Sequence, residues 1–161
     1  MPHLLVLRGP SGSGKSTIAR TLRTELGRRT TLVEQDQIRR TLLWEWDEPG
    51  GLAPQMIDLI ARASLGEGRH TVVEGILAAE RYGDMLRALI ADHDATVVYL
   101  DVPFAETLAR HADRPQASDF TPEQMAEWWL PDDRLGVPGE VVHRPPTSVP
   151  RIVEDLRGRF G

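Results

Sequence analysis

The chain has no cysteine. Disulfides, thiolate nucleophiles and cysteine-ligated zinc are therefore excluded. Its five histidines are scattered without ligand spacing, which argues against a structural metal. Positive charge is also in short supply. The formal net charge is −5, so no overall basic field exists to hold a long nucleic acid, although local arginine clusters can still bind phosphates. No apolar run approaches the ~20 residues of a membrane span. The opening MPHLLVLRG carries only a short apolar stretch before glycine, too short for a signal peptide, and the expectation is a cytoplasmic protein. Lysine is nearly absent. Of 19 basic residues, 18 are arginine and one is Lys15. In a composition that uses arginine wherever either residue serves, the single lysine marks a place where arginine does not serve.

What is present fits one domain, residues 1–161, with 40% hydrophobic residues to build a core. No repeat or low-complexity tract interrupts it. Short apolar runs alternate with segments of helical periodicity. HLLVLR (His3 to Arg8), TTLVE, HTVVEG and ATVVYLDVP are expected strands, with EVVHR as a fifth. Helices are expected over Gly14 to Gly27, from a cap at Asp36 to about Trp46, Pro54 to Leu65, Ala79 to Ala91, Pro103 to about His111 and Thr121 to about Leu130. A last helix runs from Pro150 to Phe160, with Ser148 as its expected cap. Alternation of this kind implies a parallel α/β sheet covered on both faces. Right-handed crossovers bring the strand C-termini to one edge, where ligands of such sheets bind. Arg8, Glu34, Glu74 and Asp101 end strands and are expected at that edge.

GPSGSGKS, Gly9 to Ser16, matches G-x-x-x-x-G-K-[ST] in full and lies between a strand and a helix. Gly9, Gly12 and Gly14 let the backbone curl so that successive N–H groups, including those of Ser11 and Ser13, face one phosphate chain. The helix N-terminus adds positive potential. Lys15 reaches the β- and γ-phosphates, Ser16 offers its hydroxyl to Mg²⁺, and Thr17 follows in the first turn. This P-loop alone does not distinguish kinases from GTPases or mechanical ATPases. A guanine-reading N-K-x-D segment is absent, and a motor or AAA ATPase normally needs more chain.

TLVEQDQIRR supplies the next constraint. Asp36 lies 21 residues after Lys15, where the following strand ends, and Arg39 stands one helical turn on. A carboxylate there can take the proton of a hydroxyl nucleophile and aim its oxygen at the γ-phosphorus. The arginine can hold substrate or offset transition-state charge. The alternative is a helix cap with an internal ion pair. Trp44, Trp46, Trp128 and Trp129 stand near expected loops or the lid. Partial burial beneath mobile segments competes with a stacking role. If one of them, with Trp44 in view, lines an acceptor pocket, the acceptor bears a ring or an apolar group.

Together GPSGSGKST, EQDQIRRTLL, VVEGILAAERYGDMLRAL and VYLDVPFAETLARHADRP resemble the small P-loop kinases of the nucleoside-monophosphate-kinase-like superfamily. Gluconate kinase, adenylyl-sulfate kinase, chloramphenicol phosphotransferase, zeta toxin and the 5′-kinase module of polynucleotide kinase belong to it. The resemblance covers nearly the whole chain. It implies a three-layer P-loop NTPase fold with strand order 2-3-1-4-5 and a helical lid at about 110–135. It implies ATP with Mg²⁺, ATP rather than GTP, and Asp36 as the hydroxyl-activating carboxylate. Arg39 falls at a substrate- or phosphate-binding position, and Arg110 and Arg114 fall in the lid that closes over ATP. Glu74 or Asp101 is the Walker-B-like acid, with Glu74 preferred; Glu74 can otherwise touch substrate. The loop HRPPTSVP borders adenine. WEWDEPGG departs from gluconate kinase and puts gluconate itself in doubt.

The expected function is an ATP-dependent phosphotransferase acting on a hydroxyl of a small metabolite or natural product. The alternatives are a polynucleotide 5′-hydroxyl kinase, for which nucleic acid would be the partner, and a regulator that binds ATP without transferring phosphate.

Overall fold

The computed structural model describes residues 1–112, 121–127, 129–130, 132–145 and 147–161. Five strands, β1 (Leu4–Arg8), β2 (Thr30–Glu34), β3 (His70–Gly75), β4 (Ala95–Leu100) and β5 (Val141–His143), form one sheet in the order β2-β3-β1-β4-β5. Every pairing is parallel; Leu7 sits opposite Glu74 on one side and Val98 on the other. This is the expected three-layer P-loop NTPase architecture.

The side chains of β1 alternate between two cores, as a pleated strand requires. Leu4 and Val6 face helices α2 (Ala53–Gly66) and α3 (Ala79–Ala91), joining Ile57, Ala61, Leu86 and Leu89. Leu5 and Leu7 face α1 (Lys15–Leu26) and α6 (Val149–Arg157), joining Ile18, Leu22, Ile152 and Leu156. Both faces of the central strands are thus dry, which is why they read as continuous apolar runs rather than alternating ones. Two shorter helices, α4 (Phe104–Ala112) and α5 (Pro122–Glu127), follow β4. The expected lid lies partly outside the described residues, as do Arg114 and Trp128.

Two expectations about helix starts are corrected. The segment after β2 is a π-helix, Gln37–Leu43, rather than an α-helix running to about Trp46. It ends at Trp44, which adopts a left-handed conformation with φ 51° and bonds its N–H back to the Arg39 carbonyl. A wide turn of this type tolerates an extra residue and turns the chain outward, so Trp46 leaves the helix altogether. Asp36 precedes this helix but its side chain makes no capping bond, and neither does that of Ser148 at α6. In both places the first turn is closed by backbone or left to solvent.

The C-terminal edge of the sheet is held by Arg8, which is wholly buried. Its Nε and Nη2 donate to the Leu77 carbonyl at 3.1 and 2.8 Å. Nη1 donates to the Asp133 carbonyl at 2.6 Å, and Nη2 to Asp133 Oδ2 at 2.8 Å. The guanidinium also lies 5.8 Å from the centroid of the Tyr99 ring. Burial pushes its pKa down, against the pull of Asp133. Arg8 thus ties together the end of β1, the turn before α3 and the segment before β5, and is structural rather than part of an open site.

Candidate active site

Gly12 and Gly14 of the P-loop adopt φ of 79° and 95°, a region open to glycine at little cost. A Cβ on Gly12 would meet the Thr107 carbonyl oxygen at 3.1 Å; one on Gly14 would approach Val149 Cγ2 and Arg110 Nη1 at 3.5 and 3.7 Å. The loop is therefore walled by α4 on one side and by the start of α6 on the other. That places Val149 and Arg110 beside the loop. Arg110 donates to the Ser13 carbonyl at 2.9 Å and to Glu106 at 2.7 Å. Ser13 Oγ is buried with no hydrogen-bond partner among the described residues, an unmet polar atom inside the loop. Lys15 is buried, and its ammonium donates to the Pro10 carbonyl at 3.2 Å. Ser16 is half-buried and Thr17 is exposed in the same first turn.

Glu74 ends β3 beside the loop and is only 3% exposed. Its Oε1 accepts a hydrogen bond from Ser16 Oγ at 3.2 Å, while Oε2 is buried without a partner among the described residues. Burial pushes its pKa above the usual glutamate value; Lys15 pulls it back, and the negative charges of Glu34 and Asp36 push it further up. A carboxylate oxygen left unmet beside a hydroxyl is a donor set that fits a hard cation such as Mg²⁺. Asp101 is engaged elsewhere, accepting from Arg144 Nε at 2.8 Å. Of the two acids expected as candidates, the fold brings Glu74 to the P-loop serine. Glu34 is held by Arg20, with Nη2 to Oε2 at 2.7 Å.

Asp36 stands at the open end of β2, 69% exposed, with Oδ1 3.8 Å from both Arg39 Nη2 and Arg40 Nε. Arg39 is mostly buried. It donates Nη1 to the Glu45 carbonyl at 3.1 Å, and its Nε is buried without a partner. From Arg39 a cavity of about 310 Å³ opens between the 45–54 loop and the first turn of α3. Trp46, Tyr82 and Arg81 line it together with the carboxylates of Glu45, Asp47, Glu48 and Glu80. Tyr82 is buried, and its hydroxyl pKa is pushed up to about 12, first by desolvation. It is therefore a neutral hydrogen-bonding group at physiological pH.

Trp44 does not line this cavity and is 91% exposed. Trp46, three-dimensionally the nearer tryptophan, takes that place. Trp129 packs its ring on Phe104 at 5.1 Å between centroids. Tyr82 and Arg81 went unread as site residues because they sit within an ordinary helical pattern; the acid-rich WEWDEPGG segment was the available signal. Of the expected residues, Ser16 meets Glu74 through a hydrogen bond, Asp36 lies 3.8 Å from Arg39, and Arg39 lines the cavity.

The chain belongs to the AAA domain family, whose model matches residues 4–129. More particularly, its fold is that of the P-loop kinases. A gluconokinase from Sinorhizobium meliloti 1021 superposes with a TM-score of 0.71 at 21% identity, covering 99% of this chain and 91% of that one. The Mycobacterium tuberculosis APS kinase CysC, in complex with AMPPNP and APS, gives 0.72 at 19% identity, covering 98% and 96%. The Pnkp1/Rnl/Hen1 RNA repair complex gives 0.63 at 23% identity, covering 78% of this chain and 42% of that one. Among curated proteins no sequence matches. Among the described residues no helix is long and apolar enough to cross a membrane.

Proposed function

We propose that the protein transfers the γ-phosphoryl group of ATP to a hydroxyl of a small molecule bound in the 310 Å³ cavity. The observation that supports this reading is an intact P-loop in the same chain as Asp36, whose carboxylate lies 3.8 Å from Arg39, an arginine that lines the cavity. The acceptor hydroxyl gives its proton to Asp36 as its oxygen attacks the γ-phosphorus and the bond to the β,γ-bridging oxygen breaks. Lys15 and Arg110 balance charge on the phosphates, with Arg110 exchanging its present bond to the Ser13 carbonyl for phosphate oxygen. Ser16 and Glu74 would hold Mg²⁺, directly or through water, and the bound ion supplies neutralisation of phosphate charge. Arg39 orients Asp36 and faces the acceptor. Arg114 takes a lid role by resemblance. ATP as the nucleotide and a cytoplasmic setting belong to the same reading.

Incubating the protein with Mg·ATP and a small-molecule extract, and comparing wild type with Asp36→Asn by mass spectrometry, tests the reading. A compound that gains one phosphoryl group with wild type alone supports it. ATP binding with no such compound overturns it in favour of a non-catalytic role.

Glu74 gives a second test, with a defined sign. Its raised pKa means that it takes up a proton at higher pH than an ordinary glutamate. The Mg²⁺ concentration needed for half-maximal activity should therefore climb as pH falls through that raised value. Folding stability runs the other way. The protonated form is favoured in the fold, so the contribution of Glu74 to stability is lost as pH rises through the folded pKa. Glu74→Gln should raise the melting temperature of the nucleotide-free protein at neutral pH, flatten the pH dependence of the Mg²⁺ requirement and lower kcat by about 10²–10³-fold. Thermal unfolding and Mg²⁺ titrations at several pH values read these effects.

A further inference from the structure

The lining of the cavity carries information about the acceptor that the phosphate-handling residues do not. Its charge is predominantly negative, four carboxylates against two guanidinium groups. Arg81 pairs with Asp47 Oδ1 at 3.0 Å, and Arg39 donates to the Glu45 carbonyl at 3.1 Å while its buried Nε has no partner among the described residues. Glu45 in turn accepts the Ala53 N–H at 2.9 Å. Glu48 and Glu80 have no ion-pair or hydrogen-bond partner for their side chains among the described residues, and both are exposed on the rim. The charge left for a ligand is therefore negative. The aromatic components point the same way. Trp46 is 81% exposed although it lines a cavity, and Tyr82 presents its hydroxyl beside Asp47 at 3.4 Å. An exposed indole face such as that of Trp46 attracts cations and covers the C–H face of a saturated ring, while buried Tyr82 offers only its hydroxyl edge.

Resting on the kinase reading above, we infer that the acceptor is a ring-bearing amino alcohol, an amino sugar or aminocyclitol, whose ammonium group is held between Glu48, Glu80 and the Trp46 face. Its hydroxyl points past Arg39 to Asp36. A phosphorylated acceptor or the 5′ end of a nucleic acid meets the carboxylates of Glu48 and Glu80 on this rim, so the same lining disfavours the polynucleotide alternative. The volume stands at the lower end for small-molecule sites, which suits a single ring.

Calorimetric binding without nucleotide tests this with matched pairs: glucosamine against glucose, deoxystreptamine against myo-inositol, and gluconate as the anionic ring-opened control. At least one amine should bind about tenfold more tightly than its neutral partner. That advantage should shrink with added salt and disappear in the double variant Glu48→Gln/Glu80→Gln, whose substitutions lie on the exposed rim. Equal binding within each pair, preference for gluconate, or no binding of either amine overturns the inference. Turnover with Mg·ATP is scored separately. Selective amine binding without phosphoryl transfer contradicts the kinase reading and leaves the ligand class standing, whereas transfer to neutral or anionic acceptors does the reverse.

Discussion

Replacing Asp36 with asparagine is expected to lower kcat by about 10²–10⁴-fold, the usual contribution of a positioned general base. ATP affinity should change little, because Asp36 lies beyond the loop that holds the phosphates. The fold should be unaffected too, since the side chain is 69% exposed and makes only long contacts of 3.8 Å to Arg39 and Arg40. Exposed pairs of this kind contribute little to stability. The expected pattern is thus a loss in kcat with the melting temperature and the ATP dissociation constant preserved. A drop in ATP affinity of the same size as the drop in kcat would instead assign Asp36 to nucleotide binding. Pre-steady-state turnover and equilibrium ATP titration on the same preparation separate the two.

The largest stability effect is expected at Arg8. Truncation to alanine removes every partner of the Leu77 carbonyl and the Asp133 carboxylate that Arg8 now supplies, and leaves a cavity beneath the sheet edge. Breaking a buried pair from one side costs about 3–5 kcal/mol. Asp133 Oδ2 also accepts the Ala79 N–H at 3.0 Å, so the start of α3 loosens with it. Urea unfolding should show Arg8→Ala strongly destabilised. The double replacement Arg8→Met/Asp133→Leu should cost less than the sum of the single changes, because it leaves neither charge buried alone. Additive costs would mean that the two residues act independently.

The scaffold was legible in the sequence because its signals are local. Strands buried on both faces must be continuous apolar runs, and GPSGSGKS between a strand and a helix has few other physical uses. The P-loop stretch was legible from its spacing between a strand and a helix, and the resemblance preferred Glu74 over Asp101; in the fold it is Glu74 that accepts the Ser16 hydroxyl. The acceptor side was not legible in this way. It is built where the 45–54 loop meets α3, and no periodicity in either segment announces the other. The π-helix decides which tryptophan reaches the cavity. A pattern read at the α-helical repeat does not register its wider turn, which leaves Trp44 exposed and Trp46 lining the cavity. Arg8 lies at the strand C-terminal edge as expected, but its structural role was not legible, because the groups that bury it, Leu77 and Asp133, come from 69 and 125 positions away.

Following the fate of a radiolabelled γ-phosphate during a single turnover, in the presence of the small-molecule extract, tests the central claim most directly. The account predicts label in an organic phosphate ester with wild-type protein, its loss with Asp36→Asn, and little label in inorganic phosphate. Label appearing only as inorganic phosphate, at a rate unchanged by Asp36→Asn, would contradict it and mark the protein as a nucleotide hydrolase.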